Sequence, residues 1–154
     1  MAAYPAPSNE VMEQTLILIK PDAYARGLTG EILERIERKG YVLKQLVVTH
    51  ATEDQLVRHY TYMRDKPFFA DIVRYMSSGP LVAAVVEGHR AIEGMRTLTG
   101  VTNPTLATAG TIRGDYGRDW GTNDMENILH SSDSPVSAED EMAIWFPEEL
   151  PTAL

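Results

Sequence analysis

The run Thr15-Leu16-Ile17-Leu18-Ile19 constrains this chain more than any other stretch. Four consecutive aliphatic side chains leave a strand no polar face, so both faces must be covered and the strand must lie inside its sheet. Pro21 ends it, because a proline has no N–H to give to a central ladder. Lys20 is thereby left as a cation at a strand terminus. A lone lysine there is by default a solvated end charge.

The remaining periodicities supply partners for that strand. Thr29 or Gly30 can open a helix running through Lys39, with Ile32, Leu33 and Ile36 as its inner face and Gly40 placed as a C-cap glycine. Tyr41 to Thr49 reads as a second strand through Val42, Leu43, Leu46 and Val48. Thr52-Glu53-Asp54-Gln55 is a capping box that opens a helix carrying Leu56, Val57 and Tyr60. Pro67 fits the first turn of the next helix, where Phe68, Phe69, Ile72, Val73 and Met76 recur at helical spacing. Leu81 to Val86 is a third strand, and Ala91 to Leu98 a short helix stopped by Gly100. From Gly100 to Gly121 periodicity fades into a long loop, and loops of that length in compact domains usually serve function. Asn127 to His130 is the fourth strand, and Ser137-Ala138-Glu139-Asp140 resembles a helix start. The order is βαββαβ with extra helices, which predicts a ferredoxin-like α+β fold: an antiparallel four-stranded sheet with helices on one face. One domain is expected over residues 13–150, with a flexible arm over 1–12 and a short tail over 151–154.

Composition narrows the chemistry. Cysteine is absent, which excludes disulfides, thiol catalysis and cysteine metal sites, and fits a cytoplasmic protein. Residues 1–12 hold no Lys or Arg and no apolar block, so they do not read as a secretory signal, and no apolar run approaches bilayer length. A net charge of −8 disfavours non-specific binding to nucleic acid or an anionic membrane. Such a protein can hold an anionic ligand only by gathering its few bases in one place.

The stretch Asn127-Ile128-Leu129-His130-Ser131-Ser132-Asp133-Ser134 pins a histidine at a strand end, where its ring can face a cleft. Near neutral pH a histidine serves as nucleophile or proton shuttle. Phosphoryl transfer needs an in-line nucleophile plus cations and donors for the phosphates. Lys20, Arg96 and Arg113 are the candidate cations, and Thr102 a hydroxyl donor. Tyr60 and Ser132 are hydroxyls able to reach a transferred group, and Glu141 stands close enough in sequence to orient the His130 ring. No Walker loop or G-x-G-x-x-G is present, and no His/Asp/Glu spacing marks a dedicated metal site. Any Mg²⁺ is expected to arrive on nucleotide phosphates.

The segments Lys20-Pro21-Asp22-Ala23, His59-Tyr60, Lys66-Pro67-Phe68-Phe69, Ser78-Gly79-Pro80, Thr102-Asn103-Pro104, Gly110-Thr111-Ile112-Arg113-Gly114-Asp115 and Asn127 to Ser134 together resemble the nucleoside diphosphate kinase family. The resemblance spans about Glu13 to Leu150. It implies that His130 takes the γ-phosphoryl group of a nucleoside triphosphate and passes it to a diphosphate by ping-pong kinetics. Glu141 would hold the imidazole, with Ser132 beside it. Lys20, Tyr60, Arg96, Thr102 and Arg113 would contact phosphates, Phe68 and Ile72 would hold the base, and Asn127 with Lys20 the sugar. Mg²⁺ and a homo-oligomer, a hexamer or tetramer built from dimers, are also implied. A regulatory homologue that keeps the fold, or a nucleic-acid binder, are the rival readings.

Several positions depart from the family pattern. The segment Tyr116 to Glu126 is longer than usual, Arg90 stands where asparagine is common, Ala109 where proline is, and Ser131 where glycine is. Outside the constellation, His50, His59 and His89 are expected to be exposed or loosely bonded, Phe69 core, and Arg118 a solvated loop charge. Trp120 is expected to cap the long segment or join an interface. The charges Glu31, Glu34, Arg35, Glu37 and Arg38 are expected to form a solvated helix face.

Overall fold

A computed structural model describes residues 12–121 and 126–148. The arm expected over 1–12, Met12 apart, and the tail at 151–154 lie outside the described residues, as do residues 122–125 of the long segment. In order the elements are β1 (Glu13–Ile19), α1 (Pro21–Ala25), α2 (Thr29–Arg38), β2 (Val42–Thr49), α3 (Glu53–His59), a 3-10 turn (Thr61–Met63), α4 (Phe69–Met76), β3 (Leu81–Gly88), α5 (Ala91–Thr99), α6 (Ile112–Tyr116), β4 (Leu129–Ser131) and α7 (Pro135–Trp145). The strands form one sheet in the order β2-β3-β1-β4, with every neighbouring pair antiparallel. The fold is ferredoxin-like, with β1 interior as its apolar faces require.

Alternation along the strands splits the core into two layers. Ile17 and Ile19 of β1 join Val82, Ala84 and Val86 of β3 under Ile32 and Ile36 of α2, Met95 of α5 and Ile112 of α6. Leu16, Leu18, Leu81 and Ala83 point the other way, toward Leu56 of α3, Ile72 and Met76 of α4, and Ile144 and Trp145 of α7. Burying each such Leu or Ile contributes about 1.5–3 kcal/mol relative to exposure. Helices α2 and α5 of the βαββαβ repeat thus share one face as expected, but the sheet is not covered on that face alone. Leu16, Leu18, Leu81 and Ala83 make the other face apolar too, and the additional helices α3, α4 and α7 cover it.

The boundaries differ from expectation in four places. Residues 100–121 are not loop throughout: Thr111 caps a five-residue helix, α6, by accepting from the Gly114 N–H at 3.0 Å. Helix α4 begins at Phe69, so Pro67 lies ahead of it and Phe68 holds the N-cap position. β4 is only three residues long because Ile128 sits at φ 77, a left-handed conformation that breaks a strand and costs a β-branched residue about 1–2 kcal/mol. α7 starts at Pro135, two residues before Ser137, because Ser134 is the cap: its Oγ accepts from the Ser137 N–H at 3.1 Å.

Side chains on α2 and in the long segment are also less solvated than expected. Arg35 pairs with Asp115 at 2.6 Å, and Tyr116 donates to Glu31, so α2 is tied to α6. The Arg118 guanidinium lies 3.9 Å from the Trp120 ring centroid, and Arg26 packs near the same ring at 5.4 Å. Arg118 is therefore stacked, and Trp120 gathers the segment against α1.

Candidate active site

The pairing of β4 with β1 aims His130. Leu18 stands opposite His130, and Ile19 opposite Leu129. Because side chains alternate, Leu129 and Ser131 go to the α5 side, while His130 emerges on the α3–α7 side. There Glu141 of α7 meets it: His130 Nε2 lies 2.5 Å from Glu141 Oε1. A carboxylate oxygen can only accept, so Nε2 carries the proton and the lone pair of Nδ1 is left for the cleft that His130 lines.

Ser132 holds that carboxylate and does not reach into the cleft. Its Oγ donates to the same Glu141 Oε1 at 2.8 Å, it is fully buried, and it accepts from the Leu16 N–H at 3.3 Å. The expectation that its hydroxyl reaches a transferred group is corrected to a role behind Glu141. The bond to β1 decides this, because it turns the hydroxyl away from the opening.

The cleft encloses about 630 Å³, and Lys20, Tyr60, Phe68, Ile72, Arg96, Thr102, Arg113, Asn127, His130 and Glu141 all line it. Three of the protein's few cations are thus gathered at one opening. Lys20 is only 8% exposed, and its Nζ donates to Asn127 Oδ1 at 2.6 Å. Burial, then the nearby Arg113 charge, lowers the Lys20 ammonium to about 7. Arg113 donates Nε to the Asn127 carbonyl at 3.0 Å and Nη1 to the Gly100 carbonyl at 3.0 Å, while Nη2 bonds the Leu129 carbonyl. Burial and the adjacent Arg96 bring its guanidinium to about 10. Arg96 is exposed and donates Nη1 to the Ser131 carbonyl at 3.2 Å. Burial raises the Tyr60 phenol above its ordinary value, so its hydroxyl keeps its proton as a donor.

The turn that presents Asn127 is held from below. Asp22 Oδ2 accepts from the Ile128 N–H at 3.2 Å, and Tyr75 of α4 donates to Asp22 Oδ1. Asn127 Nδ2 donates to the Thr102 carbonyl at 3.0 Å, which brings the loop after α5 to the same point. Phe68 is 44% exposed at the mouth, and Ile72 is buried one helical turn further along α4. Phe69 is partly buried against the α3–α7 core layer, as expected.

One lining residue contradicts its expected place. His59 is 6% exposed, its ring centroid lies 4.5 Å from that of His130, and its Nδ1 accepts from Trp145 Nε1 at 3.0 Å. His50 and His89 are exposed as expected. Tyr62, Met63, Ser131, Asp133 and Ser137 also line the cleft, and the sequence assigns none of them a part in the site. The pair His59-Tyr60 at the end of α3 is the sequence signal for His59, because a residue next to a lining tyrosine at a helix end shares its approach to the cleft.

His59, His130 and Glu141 each offer a ligand atom within 4.8 Å of the others. The Trp145 N–H occupies Nδ1 of His59, which puts the His59 proton on Nε2 and leaves that ring no free lone pair for a cation. Lys20, Arg96 and Arg113 line the same cleft, and their charges suit it to an anionic ligand.

A family model described as "Nucleoside diphosphate kinase" matches residues 13–150. A nucleoside diphosphate kinase of Corynebacterium diphtheriae is 52% identical over 88% of this chain and 97% of its own length. One of Streptococcus agalactiae is 49% identical over 88% of this chain and 99% of its own. Among solved structures, the Encephalitozoon cuniculi nucleoside diphosphate kinase superposes with TM-score 0.84 at 38% identity, covering 92% of this chain and 94% of that one. The halophilic enzyme of Halobacterium salinarum, solved with CDP, superposes with TM-score 0.82 at 39% identity over 88% of each chain.

Proposed function

The chain belongs to the nucleoside diphosphate kinase family and is such a phosphotransferase, and we propose that His130 carries the phosphoryl group between its two nucleotides. One observation carries the assignment: Glu141 accepts the hydrogen bond from the protonated Nε2, leaving Nδ1 unprotonated toward a cleft that holds three cations. In the first half-reaction Nδ1 attacks the terminal phosphorus of a nucleoside triphosphate. The Nδ1–P bond forms as the bond from that phosphorus to the β-γ bridging oxygen breaks, and the diphosphate leaves with the electron pair. A second diphosphate then attacks the phosphohistidine through its terminal oxygen, reversing the step. Glu141 balances the positive charge that grows on the imidazole, and Ser132 keeps the carboxylate oriented.

Lys20, Arg96, Arg113, Thr102 and the Tyr60 hydroxyl hold the phosphates in this reading. Lys20 and Asn127, already bonded to each other, present a joint donor and acceptor to the sugar hydroxyls. Phe68 stacks on the base with Ile72 beside it. A base held by an aromatic face and an aliphatic side chain meets no donor/acceptor code, so all bases are accepted. Family members need a divalent cation, and Mg²⁺ is the ion proposed. It would sit on the nucleotide phosphates, because the cleft supplies mainly cations and Glu141 is already engaged. Mg²⁺ supplies charge neutralisation on those phosphates.

Residues 13–150 are proposed as one catalytic domain acting in the cytoplasm as a homo-oligomer, a hexamer or tetramer built from dimers. The edge strand β2 supports the assembly: Val42, Leu46 and Val48 are each about half exposed, which an isolated domain would avoid on a sheet edge.

Incubation with γ-labelled ATP and Mg²⁺ tests the reading. Wild type should hold acid-labile, alkali-stable label that a different nucleoside diphosphate removes, and His130→Ala should hold none. Label that persists in His130→Ala would move the nucleophile elsewhere.

A further inference from the structure

His59 touches the ring that does the chemistry, yet its position is set from the far end of the chain. It closes α3 and is buried between His130 and Trp145. An indole N–H can only donate, so the bond from Trp145 Nε1 fixes His59 as the neutral tautomer with its proton on Nε2. Burial, then the charges of His130 and Lys20, lowers the pKa of His59 well below the ordinary range, which agrees with a ring that stays neutral.

The geometry ties both contacts of His130 to one helix. Glu141 and Trp145 stand four residues apart on α7, hence on the same face. Glu141 grips the imidazole directly at Nε2. Trp145 reaches it through His59, whose ring meets that of His130 edge to face, centroids 4.5 Å apart and planes at 75°. One hydrogen bond fixes an atom of a planar ring but lets the plane swing about that atom. A flat neighbour against the ring removes that freedom, and edge-to-face contacts are directional.

We propose that His59, locked by Trp145, is a positioning residue that sets the plane of the His130 imidazole so that Nδ1 points along the line of phosphoryl transfer. The inference rests on His130 being the nucleophile. It differs from simple packing in what it demands: the ring of His59 matters through the rate of transfer and leaves nucleotide affinity alone.

Rapid-quench measurement of phosphoenzyme formation from ATP and Mg²⁺, with ADP affinity measured separately, distinguishes these. In His59→Ala the transfer rate is expected to fall about 10- to 100-fold, the cost of a small misplacement of reacting atoms, with ADP affinity close to wild type. His59→Phe, which restores a flat ring, is expected to recover most of that loss. Trp145→Phe keeps an aromatic ring in the core layer, gives up part of its volume and removes the donor. It is expected to slow transfer several-fold and to turn the ¹⁵N spectrum of His59 from a single Nε2–H tautomer into a mixture. These two variants carry the test if His59→Ala does not fold. A wild-type rate in His59→Ala, or in folded Trp145→Phe, overturns the positioning role while wild type still labels at His130. A loss that tracks ADP affinity overturns it equally. Absence of label on wild-type His130 overturns the nucleophile assignment and this role with it.

Discussion

Lys20 is the residue at which burial and charge pull hardest against each other. Its ammonium is almost wholly removed from water beside Arg113, so its proton is held only to about pH 7. Phosphates brought into the cleft favour the charged form and raise that value. Above about pH 7 the free protein has lost this proton and the nucleotide complex regains it, so binding takes up protons and affinity weakens as pH rises. Calorimetric titration of ADP at pH 8 in two buffers of different ionisation enthalpy is expected to show that uptake in wild type and not in Lys20→Met. Equal values in both proteins would remove Lys20 as the source. Residues whose places follow from chain position were legible: Lys20 ends a strand that Pro21 terminates, and His130 lies where apolar residues give way to a turn. Ser132 and His59 were not, because their directions are set by distant partners, the Leu16 backbone and Trp145. No local pattern records a contact across 86 or 116 residues.

At the scale of elements, two junctions hold the backbone where side chains must be delivered. Ile128 is kept left-handed by the Asp22 carboxylate, which also binds Tyr75 and so links β4 to α4. Asp22→Ala leaves a backbone N–H and a phenol without their acceptor and is expected to cost about 2–3 kcal/mol in urea unfolding. A change below about half a kcal/mol would mean that water replaces the carboxylate freely. Arg90 precedes α5 with φ 53, a conformation asparagine tolerates better, and its pair with Glu93 is exposed. Arg90→Asn is therefore expected to raise stability by about 0.5–1 kcal/mol, and a lower melting temperature would refute the strain argument. Elements with long periodicity were legible, α2 and the Thr52 capping box among them. Helices α1 and α6 were not, because five residues are too short to display a helical period. β4 is shorter than its apolar pattern implies because nothing in the identity of Ile128 announces a positive φ.

At the scale of the whole molecule, the interior place of β1 was legible because its buried run needs two neighbours, and it has β3 and β4. The proposed assembly is where the exposed edge of β2 finds its use. Val48→Glu puts a charge on that apolar edge and is expected to shift sedimentation equilibrium toward smaller species, whereas an unchanged mass would place the contact elsewhere. Sheet, helices and long loop all converge on one nitrogen, so the most direct measurement is the regiochemistry of the phosphoenzyme. Combined ³¹P and ¹⁵N spectra of the protein phosphorylated by ATP should place the phosphoryl group on His130 Nδ1, because Glu141 holds Nε2. A phosphoryl group on Nε2, or on any other residue, would contradict the whole construction of the site.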